Sequence, residues 1–177
     1  MPEASPAGTD TRHKFVVEID APIEAVWAEI TKTDEVIPCF FNTRMHVSSL
    51  QPGSRMAMRT ADGKYTGVVG EILEVTPPTR FAHTFKFTNF DDPACVVVNE
   101  LEDLGNGRTR YTMLLRDLPE GTKTAKQMVQ GGKLIVNTLK SVMETGRPSF
   151  GTRMLFVLFK LMAPLSPKQS RSEHWPV

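Results

Sequence analysis

Between Asp62 and Phe87 the chain reads DGKYTGVVGEILEVTPPTRFAHTFKF, two alternating stretches joined by Pro77–Pro78. In the second stretch Phe81, His83, Phe85 and Phe87 recur at every other position, with Arg80, Ala82, Thr84 and Lys86 between them. A strand sends successive side chains to opposite faces. One face therefore carries three aromatics and a histidine, and covers something apolar. The same alternation marks His13 to Asp20, where Phe15, Val17 and Ile19 share a side. It continues in Met45 to Ser49, Arg55 to Thr60, Lys64 to Val75, Arg80 to Thr88, Cys95 to Asp103 and Arg108 to Arg116. Tight-turn signals separate these runs: Pro52-Gly53, Ala61-Asp62-Gly63 and Gly105-Asn106-Gly107. Glycine and asparagine tolerate the positive φ of hairpin turns, so the run predicts an antiparallel meander.

Two segments change to the helical period. After Asp20-Ala21-Pro22, a capping candidate with proline in the first turn, Ile23, Val26, Trp27 and Ile30 fall on one helix face. Thr33 or Asp34 is a cap for a second short helix through Phe41, limited by Pro38. From Thr122 to Glu144, Met128, Ile135, Leu139 and Val142 form one stripe, with Val136 and Met143 beside it. Gly131-Gly132 lies inside that helix, where each glycine costs about 1 kcal/mol relative to alanine. Such a pair is expected to permit close packing or a kink. Gly146 and then Pro148 end the helix in the expected order. Strand, two short helices, six strands and a long helix make an α+β fold. The curved antiparallel sheet is expected to wrap round the long C-terminal helix and bury its apolar stripe.

The inward face of such a sheet suits either a packed core or a small-molecule cavity. His83 is the sharpest candidate on it, as a donor to a ligand carbonyl or as an acid–base group near neutral pH. A satisfied core histidine is the competing reading. Asn99 shares a face with Val97 and Leu101, and Tyr111 with Met113 and Leu115. Either polar group orients a ligand or satisfies the fold's own backbone. Met56, Met58, Met113 and Met128 supply flexible thioethers that adapt to irregular ligands or fill a core. The expected lining is Met56, Met58, Phe81, His83, Phe85, Val97, Asn99, Tyr111, Met113, Met128, Ile135 and Leu139. Glu71 belongs either to the cavity's flank or to the solvated sheet face.

Composition narrows the classes. The chain has 177 residues, 40% hydrophobic and 23% charged, which fits one domain with a sizeable core and not a disordered chain. A formal net charge of +1 without a basic run gives no nucleic-acid footprint. His13, His46, His83 and His174 show no metal-ligand spacing, and no cofactor motif occurs. Cys39 and Cys95 form no disulfide framework, and neither has a nearby histidine in sequence. MPEASPAGTDTR lacks the apolar core of a signal peptide. A cytoplasmic protein with reduced thiols is expected.

The order of the segments is more specific than any one of them. The APIEAVW helix precedes DGKYTG, then the strand entered through Pro77–Pro78 and Arg80-Phe81, then NELEDLGNGRTRYTM, then GGKLIVNTLKSVMETGRP. This order resembles the heat-shock-protein-90 ATPase activator-like family of the START-like (Bet v 1-like, SRPBCC) superfamily, over about His13 to Pro148. The resemblance implies a helix-grip domain over residues 13–148; the Pro-, Ala-, Ser-, Thr- and Gly-rich stretch over 1–12 is expected to be a flexible tail, and 149–177 an apolar helical extension beyond the domain. His83 and Phe85 stand where that family often has Tyr and Trp, Lys133 where it often has Trp, and Leu115 where it often has a polar residue. The implied interior is more apolar than usual. The implied function is binding of a small hydrophobic or aromatic molecule, lipid included, between sheet and long helix. The alternatives are a polyketide cyclase- or dehydratase-like enzyme with His83 as acid–base, or a partner protein that modulates a chaperone.

Met154 to Ala163 reads MLFVLFKLMA, apolar nearly all round, and should not sit freely in water as a helix. At about 15 Å it is too short to span a bilayer. Its expected homes are the domain's own surface or cavity mouth, a homodimer mate, or the membrane interface, the first two being favoured. Arg153, Lys160, Lys168 and Arg171 would suit anionic headgroups, and Trp175 followed by Pro176 is a candidate anchor for the end.

Overall fold

The computed structural model describes residues 13–177; the expected tail over 1–12 lies outside the described residues. The strands are β1 (Lys14–Ile19), β2 (Val36–Ile37), β3 (Thr43–Val47), β4 (Arg55–Arg59), β5 (Thr66–Thr76), β6 (Arg80–Phe87), β7 (Cys95–Gly105) and β8 (Arg108–Arg116). The helices are α1 (Ile23–Thr31), α2 (Lys123–Thr145) and α3 (Phe150–Met162). All eight strands join one sheet in the order β1-β8-β7-β6-β5-β4-β3-β2, and every neighbouring pair is antiparallel. Sequential strands sit side by side, as the tight turns require. Only β1 departs, because it returns to pair with β8 after the whole meander is laid down. The sheet curls round α2, which is the helix-grip arrangement.

Turn chemistry sets the corners. Gly53, Gly63, Gly105, Asn106 and Gly107 all have positive φ. Gly70 does a different job inside β5. A β-carbon there would lie 2.0 Å from the backbone oxygen of Thr84 on β6. Only glycine lets the two backbones approach so closely, and such a glycine marks a tight bend. The Thr84 hydroxyl fills the resulting irregularity by accepting from Glu71 N at 2.8 Å.

The long helix starts and stops as its sequence predicts. Thr122 caps it, its hydroxyl accepting from Ala125 N at 3.1 Å. Gly146 ends it at φ 76°, its N–H donating to Val142 O at 2.8 Å. Met128, Val136 and Leu139 are buried against the sheet, with Ile135, Val142 and Met143 half-buried beside them. Gly132 lets α2 press on β1: a β-carbon there would meet the Phe15 ring at 2.4 Å.

Two readings of the segment after β1 need correction. Asp20 does not cap α1. Pro22 occupies the cap position in extended conformation, and its carbonyl accepts from Ala25 N and Val26 N. The Asp20 N–H donates instead to the Glu144 carboxylate at the end of α2, at 2.9 Å. The second short helix is also absent. Val36 and Ile37 pair with Arg44 and Thr43 as β2, and only a 3₁₀ turn over Pro38–Phe40 follows. Two β-branched residues ahead of a proline favour extended backbone, and Phe41 in left-handed conformation ends the turn.

Candidate functional site

The concave side of the sheet, α2 and the end of the chain enclose a cavity of about 410 Å³. That is within the roughly 300–1,000 Å³ of ordinary ligand sites. Strand alternation supplies its floor. Phe81, His83, Phe85 and Phe87 of β6 all line it, with Val97 of β7, Met113 of β8, and Met56 and Met58 of β4. Met128, Gly131 and Ile135 of α2 form the roof, and Gln127 stands at its rim. Phe40 and Phe41, from the turn that replaces the expected second helix, close one side. Gly131 keeps room there, because a β-carbon would reach the Phe41 ring at 3.4 Å.

Nine of the twelve expected lining residues therefore meet in one place: Met56, Met58, Phe81, His83, Phe85, Val97, Met113, Met128 and Ile135. The other three lie behind the wall. Leu139 is fully buried core. Asn99 and Tyr111 are also fully buried, and they satisfy each other: the Tyr111 hydroxyl donates to Asn99 Oδ1 at 2.7 Å. Asn99 Nδ2 donates to the backbone oxygen of Phe81, the residue opposite it on β6, at 3.1 Å. Burial pushes the Tyr111 phenol well up, so it stays a donor. Glu71 is exposed on the far side of the sheet.

His83 is buried, and its ring lies 5.3 Å from that of Phe81. Its Nδ1 is 2.9 Å from the Thr84 carbonyl oxygen. A carbonyl only accepts, so Nδ1 carries the proton. Burial lowers the pKa of the ring, partly offset by that backbone bond, so the imidazole is neutral near pH 7. Nε2 is then a bare acceptor, without a partner among the described residues. This differs from the expected role as a donor to a ligand carbonyl: the one N–H is already committed to Thr84.

No Asp, Glu, Lys or Arg lines the cavity. Its hydroxyls at the mouth are largely spent within the fold. Thr88 Oγ1 donates to Thr66 O at 2.6 Å and lies 3.0 Å from Ser170 Oγ. Thr66 Oγ1 lies 3.0 Å from Ser172 Oγ. These contacts strap the segment after α3 across the cavity mouth, where Phe159, Ser166, Pro167 and Ser170 become lining. Tyr65 forms a bridge to Arg171, and Arg59 donates to Trp175 O at 2.9 Å. The Trp175 indole N–H donates to Gln169 O at 2.8 Å, a bond within the end segment itself.

Neither thiol is positioned for chemistry. Cys39 and Cys95 are buried and free. Burial pushes the Cys95 thiol up to about 11, and that of Cys39 further. Among the described residues no cluster of His, Cys, Asp or Glu is arranged to hold a metal ion. No described helix is long and apolar enough to cross a membrane.

Phe40, Phe41, Met45, Tyr65 and the strap were not legible as lining. Met45 alone carried a signal, since it alternates with Val47 on the inward face of β3. The strap depends on pairings such as Thr66 with Ser172, 106 residues apart, which no local period announces.

The family model described as Activator of Hsp90 ATPase homolog 1-like protein matches residues 20–144. Among solved structures, an HSP90 activator from Plasmodium falciparum is 16% identical with a TM-score of 0.58, over 77% of this chain and 98% of that one. CalU16 from Micromonospora echinospora is 19% identical with a TM-score of 0.56, over 85% and 83%. An Aha1 dimer from Colwellia psychrerythraea is 17% identical with a TM-score of 0.56, over 75% and 96%. At these identities the likeness is one of fold. No curated protein is significantly similar in sequence.

Proposed function

The chain belongs to the activator of Hsp90 ATPase homolog 1-like family, and we propose that it uses the family's fold to bind a neutral, largely apolar small molecule, hydrophobic or aromatic, in the cavity between sheet and α2. The observation that carries this is the lining. A cavity of about 410 Å³ walled by phenylalanines and methionines has no charged side chain, and His83, with its Nδ1 proton committed to Thr84, leaves Nε2 as an acceptor. A charged guest would lose its hydration there with nothing to replace it. A guest with a hydroxyl or N–H donor gains a hydrogen bond to His83 Nε2. The favoured ligand is therefore a flat or flexible apolar molecule with one donor.

The alternative of a cyclase- or dehydratase-like reaction through His83 is less well supported. Such chemistry needs a second proton-transfer or charge-stabilising group beside the first. The described lining provides no carboxylate, lysine or arginine. A role as a chaperone-modulating partner is compatible with the family's description, but an open apolar cavity is not required for it.

The reading is tested with N-phenyl-1-naphthylamine, a neutral aromatic probe that carries one N–H. Saturable binding to one site with enhanced fluorescence is expected. His83→Phe should weaken this probe about two- to ten-fold, the worth of one hydrogen bond, and leave a donor-free aromatic hydrocarbon unaffected. Native mass spectrometry of the purified protein should then identify a co-purified guest by its mass. Failure of every neutral apolar probe to bind would overturn the proposal, and so would a preference for anionic guests.

A further inference from the structure

The extension beyond the family-matched residues folds as α3, and only its inner side is used. Thr152 and Phe156 are buried, and Phe159 lies 6.2 Å from Phe41, ring to ring, at the cavity mouth. The outer side carries Phe150, Met154, Val157, Leu158 and Leu161 at helical spacing, with Leu165 just beyond. Phe150, Leu161 and Leu165 are 75%, 71% and 80% exposed. Most of the large exposed hydrophobics among the described residues are gathered on this one element. A patch of that kind marks an interaction surface.

The charges say which kind. From Thr145 to Ser172 the sequence has Arg147, Arg153, Lys160, Lys168 and Arg171 and no acidic residue. All five cations are exposed. Only Arg171 has a carboxylate near it among the described residues, Glu173 at 3.8 Å. Arg153 and Lys160 border the apolar stripe along one side of α3, as expected from their helical spacing. A second copy meeting this face would bring cations and no acidic residue from the same stretch, so the surface holds no counter-charge for itself. A helix of 13 residues is about 20 Å long, too short to cross the roughly 30 Å hydrocarbon core but suited to lie along its surface.

We propose that α3 docks on an anionic lipid bilayer, with its outer apolar face in the interface and Arg153 and Lys160 among the headgroups. An apolar stripe edged by cations is the arrangement that binds in this way. Because the inner side of α3 and the strap behind it border the cavity, docking places the cavity mouth about one helix thickness from the lipid. Direct passage of a guest between bilayer and cavity rests on the binding reading above; the docking does not.

The test is flotation of the full chain with vesicles of phosphatidylcholine alone or mixed with phosphatidylserine. The protein should float with the anionic vesicles only and be released by high salt. Arg153→Gln with Lys160→Gln should weaken association about 25-fold, at about five-fold for each cation near an anionic leaflet. Leu161→Glu with Leu165→Glu should abolish it. Both pairs should leave N-phenyl-1-naphthylamine binding from solution unchanged, which separates docking from guest binding and verifies the fold. Wild-type protein that stays unbound on anionic vesicles would overturn the proposal. So would a Leu161→Glu, Leu165→Glu variant that still floats, or one that only converts a dimer to a monomer.

Discussion

Replacing Tyr111 by Phe removes a single oxygen from the fully buried interior. The ring stays, so little apolar contact is lost. What is lost is the donor to Asn99 Oδ1 at 2.7 Å. No water reaches Asn99, which is 0% exposed, so its acceptor is left unsatisfied at a cost of about 1–3 kcal/mol. Asn99→Leu should cost more, because it strands the Tyr111 hydroxyl and also removes the bond that Asn99 Nδ2 donates to the Phe81 carbonyl. The double variant strands neither member of the pair, and the Phe81 carbonyl keeps the backbone N–H of residue 99 opposite it. Its loss should therefore be smaller than the sum of the single losses by about 1–3 kcal/mol. Urea unfolding reads each value: a loss of 2 kcal/mol moves the midpoint by about 1 M for a slope near 2 kcal/mol/M. Binding of an apolar probe should be unchanged in Tyr111→Phe, because neither group of the pair lines the cavity. The reasoning fails if Tyr111→Phe keeps full stability but loses the probe. That outcome would return the pair to the ligand.

Gly70→Ala should lose about 3 kcal/mol, the upper part of the overpacking range, because the new β-carbon meets a backbone oxygen that cannot turn aside; thermal or urea unfolding measures it. Gly131→Leu removes a helical glycine, a gain of about 1 kcal/mol, and sends its side chain toward Phe41 and the cavity. The expected result is an unchanged or raised melting temperature with loss of probe binding, measured by calorimetry and fluorescence titration. His83 gives a pH dependence. Burial holds its folded pKa below the ordinary value of 6.5, so below that pH the unfolded chain takes up a proton that the folded chain refuses. Its effect on stability is absent above pH 6.5 and becomes a loss as the pH falls. His83→Asn should therefore be less acid-sensitive than wild type between about pH 6.5 and about pH 5, with the parallel shift of His46 cancelling in the difference. Identical slopes in urea unfolding across that range would refute a neutral, buried His83.

Most of the architecture is written in local periods. The β6 alternation, the Gly105-Asn106-Gly107 turn and the stripe of α2 each depend on neighbours within a few positions. The floor and roof of the cavity follow from them, since alternation places Phe81, His83 and Phe85 on one face whatever the rest does. Val36-Ile37-Pro38 was misread because so short an apolar run has no period, and pairing with Thr43 and Arg44 decided its state. Alternation also put Asn99 and Tyr111 on the inward face correctly. It does not say whether an inward polar group turns to a guest or to the wall, and two hydrogen bonds turned these to the wall. The same limit applies to α3. Its apolarity was plain in sequence, but which side faces the domain depended on Phe41, more than a hundred positions earlier.

A wall without fixed charges also selects among protonation states. A weak acid or phenol crossing into this interior leaves its ionised form behind, since nothing in the described lining compensates an anion. Occupancy by such a molecule would fall about ten-fold for each pH unit above the molecule's own pKa, because only its neutral fraction enters. Where the free molecule is ionised, capture takes up a proton and release returns it. A coloured phenol would report this directly, by showing the spectrum of its acid form in a buffer that should ionise it.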